Sequence, residues 1–199
     1  MRTIAFLHQK GGTGKTTLAI ATAMALAEQG ARVLLLDADA QGTASEWANH
    51  WGERFRVVAR SQIQPIVHEQ VARFAPRFEW MVVDGPPTLS DMTTSILRGA
   101  DRVFVPVRPS YPDIWALEGL AALRATLSTT GANPAMRVLW NQVVEWPTSA
   151  MRAAVERTGF MISPAVIRWE AVWSNMMEGQ PLTTGAVDCL MQLVKEPWE

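Results

Sequence analysis

Eight residues, Lys10-Gly11-Gly12-Thr13-Gly14-Lys15-Thr16-Thr17, lead from a short apolar run, Thr3–His8, into an alanine-rich stretch, Lys15–Gln29. They leave the chain few ways to fold. Three glycines permit backbone conformations in which successive N–H groups turn toward one point. A helix that starts directly afterwards adds its uncapped N–H groups and the positive end of its dipole. Such a loop closes around an anion only where a strand delivers the chain to it and a helix carries the chain away. Composition sharpens the point. The chain has fifteen arginines and three lysines, Lys10, Lys15 and Lys195, so two of its three compact ammonium groups lie in this loop.

The rest of the chain repeats the strand-to-helix theme. Apolar runs at Arg32–Asp37, Phe55–Ala59, Glu79–Asp84, Arg102–Pro106, Met136–Trp140 and Phe160–Ile162 read as buried strands. Helical patterns fall at Thr43–Trp51, Ile63–Phe74, Thr93–Arg98, Ile114–Leu127, Ser149–Thr158, Trp169–Met177 and Ala186–Lys195, and Gly30 stands where the first helix should be capped. The expected architecture is α/β: a single domain over residues 1–199 with a mostly parallel, twisted sheet and helices on both faces. Ligands in such folds sit beyond the carboxyl ends of the strands. The loops after His8, Asp37, Asp84, Pro106 and Asn141 are therefore where chemistry is expected.

By position, Gly11, Gly12, Thr13, Gly14, Lys15, Thr16 and Thr17 should cradle a nucleotide's phosphates, with Lys15 on the outer phosphates and the Thr16 hydroxyl on magnesium. The pattern departs from the usual P-loop, G-x-x-x-x-G-K-[ST], because Gln9 stands at its first glycine. Asp84, closing an apolar strand, should hold a magnesium-bound water.

Lys10 gives the loop the form K-G-G-x-G-K-T, which resembles the deviant Walker A motif of the ParA/MinD family of P-loop ATPases. Leu36-Asp37-Ala38-Asp39-Ala40-Gln41-Gly42 is similar to that family's D-x-D-P-Q-G segment, with Ala40 in place of proline. Met81-Val82-Val83-Asp84-Gly85-Pro86-Pro87 resembles its Walker B strand, and Val105-Pro106-Val107-Arg108-Pro109-Ser110 a later strand and loop beside the nucleotide. In length the chain is similar to the small plasmid-partition ATPases of the ParF type. The resemblance implies hydrolysis of ATP with Mg2+, weak in the absence of a stimulator. It implies a homodimer closed on ATP, in which Lys10 acts on the partner's phosphates and Asp39 orients the attacking water, with Asp37 beside the magnesium. It implies too a cargo adaptor of the ParB/ParG type and a nonspecific DNA track in the cytoplasm, on the nucleoid. The cargo would be a plasmid, a chromosome region or a protein organelle. Pro106, Pro109 and Pro112 resemble a proline-rich stretch that supports self-association.

Base recognition is less determined. Asn141 either offers its amide to adenine or serves as a turn residue, and the loop from Pro106 supplies backbone contacts or is simply stiff. The nine tryptophans and ten methionines are expected mostly in packing, and His8, His50 and His68 have no metal-ligand spacing. One cysteine, Cys189, excludes cysteine-ligated iron–sulfur chemistry. A formal charge of −1 excludes a polycationic DNA binder, so DNA contact must come from a local patch. Arg124, Arg137, Arg152, Arg157 and Arg168 are the expected members. Two alternatives share the motifs: a MinD-like ATPase on a membrane, and an ATP-dependent biosynthetic enzyme. The tail Leu190–Glu199, with one lysine, two glutamates and a proline, argues against membrane attachment. No run approaches the ~18 apolar residues of a membrane span, and the first residues do not read as a signal peptide.

Overall fold

The computed structural model describes residues 1–131 and 135–197. In chain order its elements are β1 (Arg2–Phe6), α1 (Lys15–Glu28), β2 (Val33–Asp37), α2 (Thr43–Phe55), β3 (Val57–Ser61), α3 (Val67–Phe74), β4 (Trp80–Asp84) and α4 (Asp91–Gly99). They continue as β5 (Arg102–Val107), α5 (Tyr111–Trp115), α6 (Leu117–Thr129), β6 (Met136–Val143), α7 (Ser149–Arg157), β7 (Met161–Arg168), α8 (Ala171–Met177) and α9 (Thr184–Lys195). The seven strands form one sheet in the order β3-β2-β4-β1-β5-β6-β7. Every pairing is parallel.

Strand alternation splits the core in two. Ile4, Phe6, Val33, Leu35, Val82, Phe104 and Leu139 face α1, α2, α8 and α9. Ala5, Leu7, Leu34, Leu36, Met81, Val83, Val105 and Val138 face the helices of the other side. Helix α1 is buried nearly all round, from Leu18 to Ala27. Its alanines let the sheet, α2 and α9 approach it together. The apolar side of α9, Val187, Leu190, Leu193 and Val194, is spent on this core. No helix among the described residues is long and apolar enough to cross a membrane. The last two residues of the tail, 198 and 199, lie outside the described residues.

Several boundaries differ from the sequence expectation for identifiable reasons. Helix α3 starts at Val67 rather than Ile63, because Pro65 disfavours helical backbone at Gln64. The expected helix Ile114–Leu127 is two, α5 and α6, joined at Ala116. Strand β7 runs eight residues instead of three. It accommodates Pro164 because it is an edge strand, where a missing N–H is tolerated. Pro106 lies inside β5 rather than at its end. Strand β1 pairs with β5 only as far as Phe104, so Pro106 has a strand neighbour on the β6 side alone.

Arg137 is the clearest correction to the expected DNA patch. It is 8% exposed and donates to the Glu196 carboxylate, whose other oxygen accepts from Ser163 at 2.5 Å. The group ties β6 and β7 to the segment after α9. Glu196→Ala should therefore cost about 3–5 kcal/mol, the loss typical when one member of a buried ion pair is removed. For a chain of this size that lowers the thermal midpoint by roughly 6–20 °C; an unchanged melting curve would show the pair to be dispensable.

Candidate functional site

The site is assembled by strand register. Phe6 at the end of β1 lies level with Asp84 on β4, which lies level with Asp37 on β2. The loop from Leu7 to Gly14 thus leaves the sheet directly above two carboxylates. Close approach of the chains is built in. A Cβ on Gly85 would meet Leu7 Cδ2 at 2.2 Å and the Phe6 carbonyl at 2.8 Å.

Four side chains outside the loop or at its start hold it in shape. Gly14 caps α1 with φ 91°, and a Cβ there would meet Asn141 Nδ2 at 2.3 Å. That Nδ2 donates to the Thr13 carbonyl at 2.7 Å, and Gln142 Nε2 donates to the Gly12 carbonyl at 3.1 Å. Asn141 lies within β6, not after it, and one of its two amide N–H groups is committed to the loop. Gln9, the departure from the glycine pattern, extends its amide to the Ala116 carbonyl where α5 meets α6. Buried His8 accepts the Lys10 N–H on Nδ1 at 2.9 Å. Burial, the largest influence, helps push its pKa down to about 4, so it is neutral at pH 7. Neither His8 nor Gln142 was marked by spacing in the sequence.

Lys15 opens α1, is 6% exposed, and donates to the Lys10 carbonyl at 3.1 Å. Burial lowers its pKa, opposed by the charges of Asp84 and Asp39. Helix α1 begins with no side-chain cap and no acidic residue in its first turn. Its N-terminal amides and dipole are thus left for an external anion. Asp84 is fully buried, and neither carboxylate oxygen has a hydrogen-bond partner. Burial chiefly, with Asp37 and Asp39 adding to it, pushes its carboxyl up to about 7. The Thr16 hydroxyl and Lys15 pull the other way, Thr16 from nearby without closing a well-formed bond. A buried carboxylate left unsatisfied beside a threonine hydroxyl, below an uncapped helix, suits a hard cation held against phosphate oxygens.

Asp37 is placed differently from the expectation that it joins the metal. Its Oδ2 accepts the Ser45 N–H at 2.7 Å and its Oδ1 the Asp39 N–H at 3.3 Å. Both oxygens organise the β2–α2 loop and the first turn of α2. Asp39 is half-buried; its Oδ1 accepts from the Gln41 N–H at 3.1 Å, and its charge acts on both Lys15 and Asp84.

Lys10 reaches away from the loop to Asp113 at the start of α5. Asp113 is fully buried and also takes both Arg108 Nε at 2.7 Å and Nη2 at 3.0 Å. Burial works to raise the Asp113 pKa, but Arg108 and Lys10 outweigh it and hold the carboxyl well below the usual range. Asp113 and Arg108 are not legible in the sequence as site residues, because Asp113 lies 103 positions from Lys10.

Beside the loop is a cavity of about 350 Å³ lined by Gly14, Thr17, Asn141, Trp169 and Trp173 among others. Packing was the sequence expectation for both tryptophans. Trp173 donates to the Arg168 carbonyl at 2.8 Å, while Trp169 stays 64% exposed at the rim. The remaining expected DNA contacts are separate from this cavity or at its edge. Arg152, Arg157 and Arg168 are exposed; half-buried Arg124 is tied to the Gly159 carbonyl and lies over Phe160.

A strand, a glycine loop and a helix above a buried strand-end carboxylate, on a parallel sheet, define a P-loop nucleoside triphosphatase fold. Residues 4–182 match the family model described as CobQ/CobB/MinD/ParA nucleotide binding domain, and the chain belongs to the ParA/MinD family of P-loop ATPases. It is 35% identical over 170 residues to the chromosome-partitioning ATPase Soj of Thermus thermophilus, covering 70% of this chain and 67% of that one. It is 31% identical over 188 residues to the maintenance of carboxysome distribution protein A of Halothiobacillus neapolitanus, covering 89% and 84%. Among solved structures, apo McdA of Cyanothece superposes with a TM-score of 0.78 over 98% of this chain and 99% of that one. At 15% identity that likeness speaks for the fold.

Proposed function

We propose that the chain is a partition or positioning ATPase whose ATP-bound dimer holds DNA nonspecifically and lets go when an adaptor on the cargo stimulates hydrolysis. The observation that carries the nucleotide half of this reading is Asp84, buried and unsatisfied below an uncapped helix and beside Lys15. Thr16 and Asp84 would hold Mg2+, which neutralises charge on the phosphates. Gly11, Gly12, Thr13 and Gly14 present backbone amides to the phosphates, Lys15 binds the outer pair, and Thr17 borders the nucleoside cavity. Asp39 orients the attacking water. Asp37 sets the loop on which Asp39 stands. In the dimer Lys10 leaves Asp113 for the partner's phosphates, and Arg108 remains to balance the carboxylate.

Relatives named for chromosome partitioning and for carboxysome distribution support a large cargo, reached through an adaptor of the ParB/ParG type. Burial of the apolar side of α9 in the core favours a DNA track over a membrane track. The candidate contacts are Arg152, Arg157 and Arg168, with Arg124 at the margin. Doubling them in a dimer gives ~4–6 phosphate contacts, each contributing a slope of about −0.9 to log affinity against log salt. Retardation of duplex DNA should therefore appear with ATP, not with ADP, and fall steeply as salt rises. Equal retardation in both nucleotide states would sink the DNA track.

A further inference from the structure

The sheet carries a second feature far from the nucleotide loop in function and chemistry. Strand β3 is an edge strand, paired only with β2. Helix α2 covers one face of it, where Val57 joins the core. On the other face Val58 and Arg60, level with Leu34 and Leu36, border a groove of about 460 Å³ whose far wall is α3 and the turn after it. Arg60 guards the strand side, and Arg73 and Arg77 guard the helix side. All three are exposed, and none forms an ion pair among the described residues.

Arginines on an edge strand discourage edge-to-edge pairing, but that role needs neither a hollow nor a buried polar group inside it. Gln70 lines the groove, is 6% exposed, and its Oε1 is buried with no hydrogen-bond partner. An occupant must therefore bring anionic groups for three guanidinium ions, and it must tolerate an apolar floor. A peptide with carboxylates at alternate positions meets both demands. Laid along the free side of β3 it also pairs its main chain with the strand, and every second side chain then stands over the groove. A second copy of β3 would bring another arginine rather than the anionic groups the groove calls for.

We propose that the β3 edge and the Arg60/Arg73/Arg77 groove form a docking site for an acidic, extended segment of a partner protein, added as a further strand of the sheet. The site is independent of nucleotide binding. The test uses a fluorescein-labelled peptide of about six residues with alternating valine and glutamate, matched to the five-residue strand. Fluorescence anisotropy should show binding by the wild-type chain. Binding should weaken about tenfold or more in Arg60→Ala/Arg73→Ala/Arg77→Ala, and likewise for the same peptide with glutamine in place of glutamate. The single variant Arg60→Glu, which changes only an exposed side chain, should weaken binding of the glutamate peptide and narrow its preference over a lysine-containing one. Lys15→Ala should bind the peptide as the wild type does. Binding that survives the arginine changes, binding indifferent to the peptide's charge, or none up to about 1 mM would overturn the proposal. So would an oligothymidylate of matched charge that occupies the groove in the peptide's place.

Discussion

Lys15→Ala is expected to weaken ATP binding by about 100-fold or more, since it deletes charge-assisted bonds to two phosphates worth ~1.5–3 kcal/mol each. The fold should survive, because Lys15 donates only to the Lys10 carbonyl and its ammonium is held at a cost in burial. Calorimetric titration with ATP and Mg2+ measures the loss, and a melting curve near wild type shows that it is local. Undiminished binding would remove the phosphate role of the loop. Within the single chain Lys10 does not take over the charge, since it is turned toward Asp113.

Asp39→Ala is expected to reduce turnover by about 10²–10⁴-fold, the range for a positioned group that handles the proton of an attacking water. ATP affinity should change little, because Lys15, Thr16 and Asp84 are untouched. Phosphate release under saturating ATP reads the rate. The loop should keep its shape, since Asp37 holds it through the Ser45 N–H, which the substitution leaves in place. That robustness matters because Ala40 stands where the family's segment has a stiffening proline. Turnover at the wild-type rate would make Asp39 a bystander.

How much of this could be read in the sequence depends on distance along the chain. The glycine loop, the strand that ends at Asp84 and the Asp37–Asp39 segment are local patterns, and the structure brings all three to the carboxyl edge of adjacent strands. The failures are long-range pairings. Arg137 reads as a strand arginine available to DNA, yet Glu196, 59 positions away, buries it. Asn141 reads as a turn residue or a base contact, and its bond to the Thr13 carbonyl, 128 positions away and beside Gly14, is not legible in the sequence. Trp169 and Trp173 sit at helical spacing, yet α8 starts only at Ala171, and what joins the two is the cavity beside the nucleotide loop. Strand β7 runs past Pro164 to Arg168, which a sequence does not reveal because it does not show which strands lie at an edge.

The central claim is that ATP closes two chains around Lys10, and the most direct test is molar mass by light scattering. Asp39→Ala, in which ATP persists, should run as the 22.0 kDa chain with ADP and at twice that mass with ATP and Mg2+. Adding Lys10→Ala should leave ATP bound to a chain that stays at the single mass, because Lys15 and the loop amides are intact while the contact across the interface is gone. A double variant that still doubles its mass with ATP, or an Asp39→Ala chain of equal mass in both nucleotides, would contradict the account.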